Sequence, residues 1–254
     1  SSSQKNKIVP GKNGNGLRLT GDDGVNLGIG NFKRTAPFSI ALWMNTPHHK
    51  ERTVVFSRSR AWTDAGSRGY QMLLRDGHLS ASLIHFWPGN AISVRTKAKL
   101  PKNEWHHVAI TYDGSTKAGG LEIYVDGKLV ETEIHKDNLY KNITGGGGDT
   151  IVIGQRFRDV GFAEGLVDDF RVFDRELTGG EVAQIHDGGS LAAMLAKPAD
   201  ALGQEERATL RDYFLATANE PHAAQLAKLR AARERVNKLL DGRGEIMVME
   251  EMPL

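Results

Sequence analysis

From about residue 17 to residue 173, apolar side chains recur at every second position in short runs, and Gly, Asp, Asn and Pro break the runs apart. That rhythm belongs to half-buried antiparallel strands, whose successive side chains leave opposite faces. In "FSIALWMN", Phe38, Ile40, Leu42 and Met44 fall on one face, and Ser39, Ala41, Trp43 and Asn45 on the other. Further strands are predicted at "TVVFSR", "GYQMLLRDG", "HLSASLIHFW", "AISVRT", "HHVAITYD", "LEIYVDGKLVE", "DTIVIGQ" and "GLVDDFRVFD". Asp76-Gly77 and Asp126-Gly127 supply the positive φ that a two-residue hairpin requires. Roughly ten strands or more without intervening helices predict a mostly β, antiparallel two-sheet sandwich, because a parallel sheet would need long crossovers.

The period changes after Asp174. "RELTGGEVAQIHDGG" predicts a short helix capped by Thr178 and stopped by Gly188-Gly189. Residues 190 to 241, rich in Ala, Leu, Glu, Arg and Lys, read as helix. Leu202, Leu210, Tyr213 and Phe214 mark one amphipathic helix. Pro221 opens another, in which Leu226, Leu229, Val236 and Leu240 form a seam with Arg233 in an intermediate position. A C-terminal α-helical hairpin is the economical arrangement, its seam closing within the chain or, as a dimer, between two chains. The closing "EIMVMEEMPL" returns to an extended pattern and reads as the severed start of another domain. The expected organisation is therefore a sandwich over 1–188, a helical hairpin or spacer over 189–243, and a truncated following domain over 244–254.

Composition narrows the function classes. Thirty-three Lys and Arg against 31 Asp and Glu give no global field for nucleic acid or an anionic membrane, so neither is expected as a partner. No apolar run reaches the length of a membrane span, and "SSSQKNKIVPGKNGNG" lacks the apolar stretch of a signal peptide. The absence of cysteine removes disulfides, thiolate catalysis and cysteine-held zinc or c-type haem from this chain.

Adjacent histidines in "NEWHHVAITYDGSTKAGGLEIYVDGKLVE" are the first candidates for chemistry. On a strand, His107 shares a side with Trp105, Ala109 and Thr111, and His106 with Val108, Ile110 and Tyr112. The two imidazoles point apart and cannot chelate one ion. They are read as one buried, hydrogen-bonded histidine and one neighbour on the outer face.

"EWHHVAITYDG", "LEIYVDGKLV", "IVIGQ" and "GLVDDFRVFDRELTGGEV" together resemble the laminin-G-like, concanavalin A-like lectin/glucanase superfamily over about residues 14 to 188. "FSRSRAWTDAGSRGYQMLL", "LIHFWPGNAISVRTK", "DNLYKNITGGGGD" and "IMVMEEMP" resemble more narrowly the laminin-G-like module of large planctomycete-type exported cytochrome c proteins, where a helical segment leads into a domain of unknown function. The resemblance implies a jelly-roll sandwich and a periplasmic or otherwise extracytoplasmic setting, with haem only on other domains of a parent protein.

Glucanases of that superfamily carry acids in an E-x-D-x-x-E arrangement. No such string occurs here, and Glu131 with Glu133 reads as solvated surface, so the chain is expected not to be an enzyme. A structural calcium ion is one reading of Asp22, Asp23, Asp149, Asp168 and Asp169, with Asp22 and Asp168 as the chosen ligands. The other reading is that Asp168 or Asp169 pairs with Arg171 or Arg156 while the rest cap turns. Arg156-Phe157-Arg158 stands where the resembling pentraxins offer acidic and amide ligands, which argues against their double-calcium site.

The expected activity is non-catalytic ligand binding, with a polysaccharide as ligand. Trp62 lies among Arg58, Arg60, Asp64 and Arg68, and His85 and Trp87 precede Pro88-Gly89. Aromatic faces match the C–H patches of sugars, and arginine suits anionic groups. Trp62, Arg68, His85, Trp87 and Arg156 are the predicted contacts. The alternative is a structural module whose aromatic and arginine patch docks onto other domains of the parent polypeptide.

Overall fold

The computed structural model describes residues 5–61 and 67–244. The strands in chain order are β1 (Lys7–Pro10), β2 (Asn15–Arg18), β3 (Val25–Asn26), β4 (Phe38–Asn45), β5 (Thr53–Arg58), β6 (Gly69–Arg75) and β7 (His78–Phe86). They continue with β8 (Asn90–Thr96), β9 (His106–Tyr112), β10 (Leu121–Val125), β11 (Lys128–Leu129), β12 (Thr132–Asn138), β13 (Val152–Ile153) and β14 (Leu166–Phe173). Among the described residues the strands form two seven-stranded sheets, ordered β1-β2-β14-β4-β9-β10-β11 and β12-β8-β7-β6-β5-β13-β3. Every pairing between named strands is antiparallel, giving the two-layer sandwich that the two-residue rhythm predicts.

The core forms where the alternating faces meet. Phe38, Ile40, Leu42 and Met44 of β4 and Val108, Ile110 and Tyr112 of β9 face Tyr70, Met72 and Leu74 of β6 and Ile92 and Val94 of β8. Each such side chain contributes roughly 1.5–3 kcal/mol by leaving water. Phe32 stacks on Phe38 at 4.8 Å, and Phe38 meets Tyr70 at 4.8 Å. The Tyr70 hydroxyl donates to the Gly30 carbonyl at 2.7 Å, so the buried ring keeps its polar end satisfied.

Both predicted tight turns carry two positive φ values, 51° and 88° at Asp76-Gly77 and 49° and 77° at Asp126-Gly127. Asp126 also explains the Trp-His-His strand: one carboxylate oxygen accepts from the His107 backbone N–H at 2.9 Å and the other bonds His106 Nδ1 at 2.8 Å. The hairpin and the histidine pair form one unit.

Among the described residues four α-helices follow: α1 (Gly179–Asp187), α2 (Ser190–Leu195), α3 (Gln204–Thr217) and α4 (Glu220–Asp241). Thr178 and Glu181 form a reciprocal capping box on α1, and Gly188 ends it in the left-handed conformation at φ 78°. Leu202, expected inside a helix, lies before α3, because Gly203 is its N-cap. On α4 the expected seam is not what is buried. Leu229 and Val236 are 44% and 54% exposed, and Asn237 is buried instead. Arg34 reaches it from the sandwich with an Nε donor bond to Asn237 Oδ1, Thr35 meets Glu234 at 3.1 Å, and Arg233 donates to the Asp113 carbonyl at 3.0 Å. Loop ends of a sandwich present backbone polar groups, so a helix docking there matches them with side-chain hydrogen bonds rather than leucines. The stretch "EIMVMEEMPL" from Glu245 onward lies outside the described residues. No described helix is long and apolar enough to cross a membrane.

Candidate functional site

The second sheet turns a polar row away from the core. Ser57, Gln71, Ser82 and Ser93 stand directly across from one another on β5, β6, β7 and β8. All four are buried, and the Ser82 hydroxyl donates to Ser93 at 2.8 Å. Arg156, on the loop after β13, donates to Gln71 Oε1 at 2.7 Å and to Ser59 Oγ at 3.1 Å, and pairs with Asp159. Arg52 adds a second fork to Asp159 at 2.7 and 3.0 Å. Burial alone would raise the Asp159 carboxyl, but hydrogen bonds and charge from Arg52 and Arg156 outweigh it and hold the group below the usual carboxylate range.

Arg156 is thus an internal strut, 2% exposed, and not a rim residue. Arg58 is likewise 0% exposed and donates to the Ile143 carbonyl at 2.8 Å and to the side chains of Asn31 and Asp149. The reason is geometric: a planar guanidinium fork satisfies several fixed acceptors at once, so these arginines tie loops together where a lysine would leave acceptors unmet.

Arg68 and His85 are brought together. Arg68 Nε donates to the His85 carbonyl, and its Nη2 lies against His85 Nε2, both at 3.3 Å. His85 Nδ1 meets the Asn142 carbonyl at 2.6 Å, and since a carbonyl only accepts, the proton sits on Nδ1 and Nε2 is left to accept from Arg68. Trp87 follows two residues on, half-buried at the tip of the β7–β8 hairpin beside Phe86, which is 54% exposed.

The tip is locked to the loop after β12. Asn138 Nδ2 donates to the Gly89 carbonyl at 2.8 Å, and Asn90 Oδ1 accepts from the Tyr140 N–H at 3.0 Å. Tyr140 is 38% exposed. Asn142 N–H donates to Asp241 at 3.0 Å and Lys141 Nζ to the Arg243 carbonyl at 2.9 Å, so the end of α4 braces the same loop. The rim formed by these tied segments carries the aromatic residues Phe86, Trp87 and Tyr140 and the polar residues Arg68, His85 and Lys141. Phe86 and Tyr140 were not singled out in the sequence, because nothing local brings "IHFW" beside "NLYKN". Trp62 lies outside the described residues.

Asp22 is exposed in the turn after β2, where its N–H donates to Thr20 Oγ1 at 3.3 Å. Asp168 accepts from the N–H groups of Asn13 and Asp169 at 2.8 and 2.7 Å, while Asp169 forks onto Arg171 at 3.0 and 2.6 Å. Both Asp168 oxygens therefore hold backbone N–H groups, and Asp169 pairs with Arg171, as the second reading of these acids expects. Among the described residues no three acidic or histidine side chains converge on a metal position. Glu131 and Glu133 stand at an exposed edge, in ion pairs with Lys97 at 3.1 Å and Arg95 at 3.8 Å.

His107 lies under α1, which covers the outward side of the first sheet. Its ring is 5.4 Å from Trp43 and 5.7 Å from His186, and Lys12 caps Trp43 at 4.6 Å. It is 1% exposed, and among the described residues neither ring nitrogen has a hydrogen-bond partner. Burial first, then the neighbouring His186, pushes its pKa down to about 4. The outer-face neighbour expected from strand parity is thus a second buried histidine, because α1 turns that face into a small core with Ala41, Ala109, Tyr124, Leu177 and Val182.

Residues 19–183 match the family described as Laminin_G_3, of the concanavalin A-like lectin/glucanases superfamily. The chain belongs to that family. This Laminin_G_3 chain is similar in fold to the binding domain of Paraclostridial Mosquitocidal Protein 1, at 17% identity and a TM-score of 0.55 over 73% of this chain and 46% of that one. It therefore spans about half the length of that domain. Ruminococcus gnavus IT-sialidase CBM40, solved bound to alpha2,3 sialyllactose, matches with a TM-score of 0.54 at 15% identity over 67% of this chain and 96% of that one. Domain 4 of AbnA, a GH43 extracellular arabinanase from Geobacillus stearothermophilus in complex with arabinotriose, matches at 0.50 and 19% identity over 73% and 82%. No curated protein matches the chain.

Proposed function

We propose that the chain is a non-catalytic carbohydrate-binding module, part of a larger extracytoplasmic protein, and that the rim of Arg68, His85, Trp87, Phe86 and Tyr140 receives the ligand. The observation that carries this reading is the contrast at the β7–β8 tip: exposed aromatic surface stands on a backbone fully tied by Asn90, Asn138 and Asn142. A preorganised aromatic platform with fixed polar groups at its edge is what sugar recognition requires, since little ordering entropy is then lost on binding. Two structures of similar fold were solved with oligosaccharides, which supports saccharide as the ligand class. Glu131 and Glu133, the acids weighed for hydrolysis, are held by cations at a sheet edge, which favours binding over turnover. Calorimetry against neutral and acidic oligosaccharides tests the proposal. Binding by the wild-type chain that falls about tenfold or more in Trp87→Ala is expected, a loss in the range of one buried aromatic contact. A folded wild type that binds none of them overturns it.

A second reading, docking onto other domains of a longer polypeptide, is favoured by exposed apolar side chains beyond the rim, Leu229, Val236 and Leu239 on α4. Titration with a separately produced downstream domain tests it, and absence of association counts against it.

A further inference from the structure

Two adjoining clefts share Arg18 and Glu164 and have no residue in common with the hairpin rim. The first, about 200 Å3, is walled by Lys5, Lys7 and Thr20; the second, about 290 Å3, by Asn45, Pro47, Asn103 and Leu166. Lys7 stands directly across from Arg18 in the β1–β2 ladder. Like charges in that position repel and weaken the strand pair. Among the described residues, Lys5, Lys7 and Arg18 make no ion pair or side-chain hydrogen bond. Three cations thus face one carboxylate, Glu164, around a cleft whose other end offers the amides of Asn45 and Asn103.

The walls are held in place by bonds that leave the charged groups free. Asn6, between Lys5 and Lys7, accepts from the Thr20 N–H at 2.9 Å and hydroxyl at 3.3 Å and donates to the Asp23 carbonyl at 3.0 Å. Glu164 N–H donates to the Leu19 carbonyl, and Leu19 N–H to the Gly165 carbonyl, both at 2.9 Å. Asn103 N–H donates to the Thr46 carbonyl at 2.9 Å. Five chain segments are therefore fixed around the double cleft and its concentration of positive charge. Repulsion between fixed cations is relieved by an anion, and charge-assisted hydrogen bonds to it are stronger than neutral ones.

We infer that this double cleft binds an anionic saccharide: Lys5, Lys7 and Arg18 hold its sulfate ester or uronic carboxylate, and Asn45, Asn103 and Glu164 meet hydroxyls of the adjoining ring. The site is separate from the rim, and its existence does not depend on the rim's ligand. Calorimetry on the full chain compares a sulfated oligosaccharide, its unsulfated counterpart and inorganic sulfate, using wild type, the double variant Lys7→Gln/Arg18→Gln, and Trp87→Ala. The sulfated oligosaccharide is expected to bind wild type and Trp87→Ala alike and the double variant at least about tenfold more weakly, with affinity falling as salt is raised. The unliganded double variant is expected to melt no lower than wild type, because a repulsive pair is gone, so weaker binding is not a folding defect. Equal affinity in the double variant overturns the inference, as does loss in Trp87→Ala alone, which moves the anion to the rim. Inorganic sulfate binding as tightly as the oligosaccharide overturns the saccharide part and leaves a free-ion site.

Discussion

The two sheets share one core, yet their outward sides are built differently. On the first sheet, Ala41, Ala109 and Tyr124 make an apolar floor that Leu177, just before α1, and Val182 of α1 cover, closing His107 into a pocket where, among the described residues, it has no hydrogen-bond partner. On the second, Ser57, Gln71, Ser82 and Ser93 make a polar floor, and Arg156 comes in from a loop to bond it. Both floors are buried, by opposite chemistry. An apolar floor accepts a helix and tolerates a neutral imidazole, whereas a polar floor needs donors and acceptors matched one by one. Strand parity says which side faces away from the shared core; it does not say whether that side is wet.

That contrast is broken most severely at Asp159. Asp159→Ala leaves Arg156 charged and buried without its carboxylate, and a loss of about 3–5 kcal/mol in urea unfolding is expected. A loss below about 1 kcal/mol would mean that water solvates the guanidinium and that the polar floor is not closed.

The apolar floor is sharpened by pH. His107 has a folded-state pKa of about 4, below the ordinary 6.5, so the unfolded chain binds more protons between those values. Stability associated with the neutral ring is fully present above pH 6.5 and is lost as pH falls towards 4, by on the order of 2–3 kcal/mol. Depressed carboxyls such as Asp159 add their own acid loss, so the test is a difference: His107→Leu should flatten the stability profile between pH 6.5 and 4 relative to wild type. Parallel profiles would show that the imidazole reaches water.

Thr178→Ala removes the capping box that starts α1 and should cost about 1 kcal/mol. If α1 is what keeps His107 dry, the substitution should also raise the His107 pKa measured by NMR. At the rim, Phe86→Ser is expected to change stability by less than about 0.5 kcal/mol, because the ring is 54% exposed, so the thermal midpoint should barely move.

Much of this architecture was legible in local sequence. Alternation placed Phe38, Ile40, Leu42 and Met44 in the core, Asp-Gly pairs marked both tight turns, and Thr178 and Gly188 marked the ends of α1, because each depends on backbone sterics or neighbours a few residues away. The seam on α4 was misleading for a related reason. Leucines at helical spacing announce a face that prefers burial, but the sandwich end met by α4 offers polar loop groups, and these select Asn237 and Arg233.

The candidate site divides along the same line. Arg68, His85 and Trp87 were recognisable as residue types suited to a ligand, and Arg156 was indistinguishable from them, since one arginine reads like another until its partners are known. Asp159, three residues on, and Gln71, eighty-five residues away, take that side chain inside. By itself the sequence determined the long core strands, the turns, the helix start and the side of each of those strands that would seek the core, all set by periods and by steric rules within a few positions. Only tertiary structure decided which outward residues are covered, which cations are paired and which are left facing a cleft, because burial and ion pairing depend on distances between segments that chain order does not encode.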